Sequence, residues 1–175
     1  MKAKKLMVHS TKGGIGKTTS VMTIARTFAK QGKKVCMIDV DPQANLTRTM
    51  LKERAREDGY VSMYDLFVPV VDDSVIEKAV MNVSENLWII GSNLRLCYRE
   101  NEFSGNTMVD RSRILDKIVK KIEDRFDLII MDFNPYPSLL VTNGFFRKNS
   151  CRVCVKGSCN QCFRRRAHEA SFIRV

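Results

Sequence analysis

A glycine-rich stretch near the start of the chain constrains the fold more than any other feature. Residues 8–19 read VHSTKGGIGKTT; a short apolar run, 6–8, leads into them, and a segment with apolar residues at helical spacing follows. Three glycines in four positions let the main chain curl tightly, so that successive N–H groups and the positive end of the next helix can surround phosphate oxygens. The sequence therefore predicts a strand, a phosphate-binding loop and a helix in succession.

The lysines and threonines of this loop are candidate nucleotide-binding residues. Lys17 is placed to reach the β- and γ-phosphates, and the Thr18 hydroxyl is placed to hold Mg²⁺. Thr11 stands where the usual pattern has glycine, and the glycine run begins with a second lysine, Lys12. The alternative is a flexible loop with two solvated lysines, which the flanking strand and helix patterns disfavour. The predicted binding set is Lys12, Gly13, Gly14, Ile15, Gly16, Lys17, Thr18 and Thr19.

Acidic residues follow two further predicted strands. Residues 35–38 are all apolar and lead into Asp39 and Asp41, at the kind of strand end where ligands bind in open α/β sheets. With the preceding helix, this strand completes a βαβ unit. Residues 128–131 are also apolar and end in Asp132, a pattern that carries one carboxylate to a bound metal. For the Asp39–Asp41 pair alone, a polar turn that ends a strand is the alternative interpretation.

These three segments together resemble the ParA/MinD family of partition and positioning ATPases. The loop KGGIGKT matches the deviant Walker A motif, and DVDPQAN at residues 39–45 matches the A′ motif. The expected fold class is α/β, a P-loop three-layer α/β/α sandwich with a mainly parallel sheet, and the implied cofactors are ATP and Mg²⁺. The implied catalytic residues are Lys12, Lys17 and Asp41, and the implied metal-site residues are Thr18, Asp39 and Asp132.

The resemblance also implies how such a protein works. Lys12 would reach the nucleotide of the partner in an ATP-dependent homodimer, and Asp41 would orient the attacking water. The expected function is an ATP-hydrolysing switch for plasmid or chromosome partition, which binds non-specific DNA and a centromere-binding adaptor protein that stimulates hydrolysis. A cytoplasmic location without membrane attachment is expected. Two alternatives stay open: a truncated, inactive nucleotide-binding remnant, and a membrane-surface positioning ATPase of the MinD type.

Composition divides the chain near residue 146. The formal net charge is +11, of which residues 147–175 contribute +7 through eight Lys or Arg and one acidic residue. Apolar periodicity is lost in this tail, and the resemblance covers about residues 4–146. We therefore predict a P-loop domain over residues 1–146, which lacks the C-terminal part of the family fold, and a basic, cysteine-rich tail over residues 147–175 outside the fold.

Three interpretations of the tail remain open. It contains four of the six cysteines, arranged as two C-x-x-C pairs separated by four residues. Paired cysteines suggest a zinc site, but zinc-ribbon pairs are usually separated by about 12–20 residues. The alternatives are translation in a shifted reading frame and a native, disordered basic tail. No run approaches the roughly 18 apolar residues of a membrane span, and no signal peptide is evident.

Overall fold

A computed structural model of the chain describes residues 2–10, 12–102, 113–136, 138, 140–141 and 150–154. Within these residues the chain forms a six-stranded sheet with helices on both faces. The strands are β1 Lys4–His9, β2 Val35–Asp39, β3 Val80–Ser84, β4 Leu87–Ile90, β5 Leu128–Asp132 and β6 Ser150–Cys154. The helices are α1 Lys17–Lys30, α2 Asn45–Leu51, α3 Met63–Leu66, α4 Asp73–Ala79, α5 Leu96–Glu102 and α6 Ile114–Ile122.

The strand order brings the predicted site residues to one edge of the sheet. The order is β3-β4-β2-β5-β1-β6, and every neighbouring pair is parallel except β3 with β4. Strand β5 therefore lies between β1 and β2. In this register Asp132 is paired with Val8 on one side and with Asp39 on the other. The carboxyl ends of β1, β2 and β5 thus lie side by side.

Residues of the central strands alternate between two apolar cores. In β1, Leu6 and Val8 pack with α1 on one face, whereas Met7 packs with α6 on the other. The apolar residues of α6 lie on one stripe of the helix and are fully or almost fully buried. A sheet covered on both faces by helices is a three-layer sandwich, so the predicted fold class is confirmed.

Some local elements differ from the sequence-based expectations. Residues 48–58 are rich in charge with few apolar residues, a pattern that predicts one exposed helix, but α2 starts earlier, at Asn45, and gives way to a 3-10 helix at Lys52–Arg56. Ala44 and Lys52, at the two ends of α2, both have positive φ angles, of 52° and 53°. Such angles interrupt a right-handed helix and limit α2 to two turns. Strand β3, which follows α4 directly, was not predicted.

Strand β6 lies beyond the predicted domain boundary. Its five residues pair in parallel with β1, from Lys5 with Ser150 to His9 with Cys154. This differs from the expectation that residues 147–175 lie outside the fold. Residues 147–149 and 155–175 lie outside the described part of the chain, so the nature of the remaining tail stays a prediction.

A buried acidic residue anchors the start of β1, at the edge of the sheet opposite the carboxyl ends of β1, β2 and β5. Glu123 is 2% exposed and forms ion pairs with Lys5 and Lys2, the latter at 2.7 Å. Its main-chain oxygen also accepts a hydrogen bond from the Ala3 amide at 3.0 Å. Burial would raise the pKa of Glu123, but the hydrogen bonds from the two lysines outweigh it and lower the pKa.

We predict that Glu123→Ala lowers the free energy of unfolding by about 3 kcal/mol, because it leaves the partly buried Lys5 ammonium without its partner. Urea denaturation at neutral pH measures this difference. Glu57→Ala, at an exposed position, is the matched control and should change stability by less than about 0.5 kcal/mol. Equal effects of the two substitutions would contradict the anchoring role.

Candidate nucleotide-binding site

The glycine loop leads directly into the first turn of α1. Gly14 and Gly16 have φ angles of 72° and 83°, in the left-handed region that side chains disfavour. A Cβ atom on either glycine would meet no heavy atom of the described residues within 4 Å, so backbone conformation rather than lack of space requires glycine here. Gly16 is the N-cap of α1 and offers no side chain to the first helical amides. These N–H groups are therefore available for an anionic ligand.

The two loop lysines occupy different environments. Lys17 is 8% exposed, and its Nζ donates a long hydrogen bond of 3.4 Å to the main-chain oxygen of Lys12. This contact closes the loop around the Lys17 ammonium group. The Lys12 side chain is exposed, while its amide donates to Ser10 Oγ at 3.2 Å. The structure thus directs one lysine into the loop and leaves the other at the surface.

Asp132 lies at the end of β5, beside the loop. It is 2% exposed and accepts a hydrogen bond from the Thr18 hydroxyl. Its Oδ1 is buried and has no hydrogen-bond partner among the described residues. Burial raises the pKa of Asp132 to about 6; the nearby Asp41 carboxylate adds to this effect, whereas Thr18 and the Lys17 ammonium oppose it. Leaving a buried carboxylate oxygen without a partner costs free energy. An oxygen that is to bind a cation has to stay unpartnered until the cation arrives, and Oδ1 of Asp132 meets this condition.

Asp39 and Asp41 differ sharply in exposure. Asp39 is fully buried, and burial raises its pKa to about 7 despite hydrogen bonds from Thr47 and from the Asp41 amide. Asp41 is half-buried, and its Oδ1 accepts a hydrogen bond from the Gln43 amide at 2.9 Å. Asp41 therefore lies closer to solvent, while Asp39 is held inside the fold.

The convergent oxygen atoms fit a hard cation such as Mg²⁺. The Thr18 hydroxyl and the Asp132 carboxylate meet at the loop, and Mg²⁺ prefers one or two such protein ligands with phosphate oxygens and water completing its shell. Among the described residues, no group of three or more His, Cys, Asp or Glu side chains is arranged to hold a metal by itself. Two of the four tail cysteines, Cys159 and Cys162, fall outside those residues, so the zinc interpretation stays open.

Sequence reasoning missed two contacts at this edge of the sheet. Nδ1 of His9, the last residue of β1, lies 3.1 Å from the main-chain oxygen of Asn134 in the loop after β5. Thr47 of α2 hydrogen-bonds Asp39 through both its amide and its hydroxyl. Phe133, the bulky residue after Asp132, is fully buried in the core. No local pattern signals the His9–Asn134 and Thr47–Asp39 contacts, because each joins segments that meet only in the folded chain.

The two raised carboxyl pKa values predict a pH-dependent stability of the nucleotide-free protein. In the unfolded chain, Asp39 and Asp132 titrate near 3.8, and in the folded protein near 7 and 6. Between these values the folded state binds more protons, so stability is higher at low pH and is lost as pH rises. We expect the free energy of unfolding to fall by a few kcal/mol between pH 5 and pH 8.

Urea denaturation with EDTA at the two pH values measures this change. Burial lowers the pKa of His9, which contributes in the opposite direction, so the informative quantity is the difference from Asp39→Asn. The pH slope of this variant should be smaller than that of the wild type. A variant with the wild-type slope would contradict the assignment of the effect to Asp39.

The fold and the site together define a P-loop protein of the α/β class, with loop, hydroxyl and carboxylate arranged for a nucleotide phosphate. A family model described as an AAA domain, AAA_31, matches residues 3–161. The chain belongs to this family and is a member of the ParA/MinD group of P-loop proteins.

Similar proteins support this assignment. The chromosome-partitioning ATPase Soj of Treponema pallidum is 30% identical over 147 residues, which are 83% of this chain and 54% of that protein. A plasmid partition protein from Borrelia burgdorferi, solved bound to AMPPNP, is 28% identical with a TM-score of 0.72, over 88% of this chain and 62% of that one. Cobyrinic acid a,c-diamide synthase from Mycobacterium smegmatis, solved with an ATP analogue and magnesium, is 25% identical with a TM-score of 0.75. The match covers 87% of this chain and 59% of that one.

The chain spans little more than half the length of the curated relative. Within the described part of the chain, no helix combines the length and the apolar character needed to cross a bilayer.

Proposed function

We propose that the chain binds ATP with Mg²⁺ and hydrolyses it slowly, as the switch of a plasmid or chromosome partition system. The observation that carries the proposal is the buried Asp132 carboxylate, whose Oδ1 has no partner among the described residues and which lies beside Thr18 and Lys17. The Borrelia partition protein bound to AMPPNP and the synthase bound to an ATP analogue and magnesium support the same choice of ligand.

In this proposal each residue of the site has a distinct role. The glycine loop and the first amides of α1 bind phosphate oxygens, and Lys17 adds a positive charge to the β- and γ-phosphates. Thr18 and Asp132 hold the cation, which when bound neutralises charge on the phosphate oxygens. Asp41, half-buried at the end of β2, orients a water molecule towards the terminal phosphate.

The exposed Lys12 supports action as a dimer. Its side chain lies at the surface of the loop rather than inside it, so the ammonium group is accessible to a second molecule. In the proposed dimer it contacts the nucleotide of the partner and stabilises negative charge in the transition state, as an arginine finger does. The ATP-bound dimer would bind non-specific DNA through basic residues, and an adaptor protein would stimulate hydrolysis.

The test is nucleotide binding by calorimetry, with and without Mg²⁺, followed by phosphate release and by gel filtration with a non-hydrolysable ATP analogue. We expect magnesium-dependent ATP affinity, slow turnover and a larger particle in the presence of the analogue. GTP serves as the matched control ligand and should bind more weakly. Binding without turnover would favour an inactive nucleotide-binding remnant, and no magnesium-dependent binding would contradict the proposal.

A further inference from the structure

The Asp39 carboxylate has hydrogen-bond partners on both of its oxygens. Oδ2 accepts from the Thr47 hydroxyl at 2.6 Å and from the Thr47 amide at 2.9 Å. Oδ1 accepts from the Asp41 amide at 3.1 Å. All three donors belong to the turn and helix that follow β2. These bonds hold the carboxylate against its own chain segment.

Thr47 extends this hydrogen bonding to the neighbouring strand. Its Oγ1 donates its single proton to Asp39 and accepts a hydrogen bond from the Ser92 amide at 2.8 Å. Ser92 follows β4 by two residues, and the Ser92 amide and both Thr47 groups are buried. The Thr47 hydroxyl therefore connects the end of β2, helix α2 and the end of β4.

Close packing leaves the Thr47 side chain little freedom. A Cβ atom added to Gly91 would lie 2.8 Å from Thr47 Cγ2 and 2.1 Å from the Tyr60 hydroxyl oxygen. Both distances are far shorter than a normal contact, so the backbone of Gly91 comes as close to these side chains as glycine permits. The Thr47 side chain is therefore confined from the β4 side.

Hydrogen bonds fix the turn between β2 and α2 at both of its ends. At its start, the Val40 amide donates to the Asp132 main-chain oxygen at 2.8 Å, and the Asp41 amide donates to Asp39. At its end, Thr47 ties the first turns of α2 to the same Asp39 carboxylate. Asp41 lies within this turn, so its position relative to Asp132 depends on both attachments.

We propose that Thr47, acting through Asp39 and Ser92, is the positioning residue that fixes Asp41 for its work on the attacking water. The effect on turnover rests on the proposed ATPase function, whereas the hydrogen bonds themselves can be tested without nucleotide. Thr47→Val removes the hydroxyl and keeps the shape of the side chain. Thr47→Ser keeps the hydroxyl. Thr49→Val is the matched control, because Thr49 lies on the exposed face of the same helix and its hydroxyl donates a local hydrogen bond to the Asn45 oxygen.

In steady-state assays we expect Thr47→Val to lower kcat by about 10- to 100-fold while KM for ATP changes by less than about threefold, because the phosphate-binding loop is untouched. Thr47→Ser should stay within about threefold of the wild type in both constants, as should Thr49→Val. A Thr47→Val enzyme with wild-type kcat would overturn the positioning role. So would a Thr47→Ser enzyme as impaired as Thr47→Val.

Amide hydrogen exchange of the nucleotide-free protein provides the independent measurement. In the wild type, the Thr47 and Ser92 amides should exchange at least about 100-fold more slowly than solvent-exposed amides. In Thr47→Val, the Ser92 amide should exchange about tenfold faster, while the amides of β1 and β5 keep their protection and show that the fold is intact. Wild-type Thr47 and Ser92 amides without protection would overturn the proposal even if Thr47→Val does not fold. A wild type without ATP turnover would contradict the ATPase function, and the exchange rates would still decide the hydrogen-bond arrangement.

Discussion

Lys17→Ala is expected to weaken ATP binding by about 10- to 100-fold and to lower turnover by about 100- to 1000-fold. The Lys17 ammonium group is almost completely buried in the loop, where its hydrogen bond to the Lys12 oxygen is long, at 3.4 Å. The ammonium can exchange this contact for phosphate oxygens without rearranging the loop. Removal of the charge therefore leaves the loop amides as the main phosphate ligands, and the loss grows as negative charge develops during hydrolysis.

Titration calorimetry with ATP and Mg²⁺, together with phosphate release, measures both effects. Lys33→Ala is the matched control, since Lys33 is exposed in the turn after α1 and lies at the opposite edge of the sheet from the loop. It should retain wild-type affinity and turnover. If Lys17→Ala bound ATP within threefold of the wild type, the loop would not be the phosphate site.

Asp132→Asn is expected to change stability and activity in opposite directions. The substitution keeps the shape of the buried side chain and removes its ionisable carboxyl group. Burial raises the pKa of this group to about 6 in the wild type. At pH 8, without nucleotide or metal, the variant should be more stable than the wild type by about 1–3 kcal/mol, because the buried carboxylate no longer has to be ionised. Its magnesium-dependent turnover should fall by about 100- to 1000-fold, because a neutral amide replaces the carboxylate charge that would hold the cation.

Urea denaturation in EDTA and phosphate release in Mg²⁺ separate the two effects. The exposed Asp58→Asn variant is the matched control and should alter neither quantity appreciably. An Asp132→Asn protein that is less stable than the wild type and still responds to Mg²⁺ would show that this carboxylate serves the fold rather than the cation.

Local sequence patterns predict the part of the fold that is determined by local physics. The uninterrupted apolar runs before Asp39 and Asp132 belong to strands that are buried on both faces, so their composition alone identifies them. The phosphate loop is equally local, because its glycines are required by the φ angles of Gly14 and Gly16. Strand β3 was missed because it is a short, half-buried edge strand that follows α4 without an intervening turn.

The remaining part of the site depends on contacts between distant segments. The Thr47 hydroxyl meets the Ser92 amide across 45 residues, and the His9 ring meets the Asn134 oxygen across 125. No periodicity or spacing within one segment encodes such a meeting. The family resemblance implies a place for Asp39 at the metal site, and local sequence says nothing about which groups its carboxylate contacts. Its hydrogen bonds to Thr47 become visible only once α2 folds back onto β2.

The position of β5 has a consequence for the order in which the protein can be made. In the folded sheet, β1 and β2 are about 10 Å apart, or two strand spacings, because β5 lies between them. A nascent chain in which residues 128–132 have not yet been synthesised has no strand to fill this gap. The glycine loop and the Asp41 turn emerge from the ribosome first, before the strand that sets their final separation has been made. Capacity to capture nucleotide should therefore arise abruptly during synthesis, only after Asp132 has left the exit tunnel.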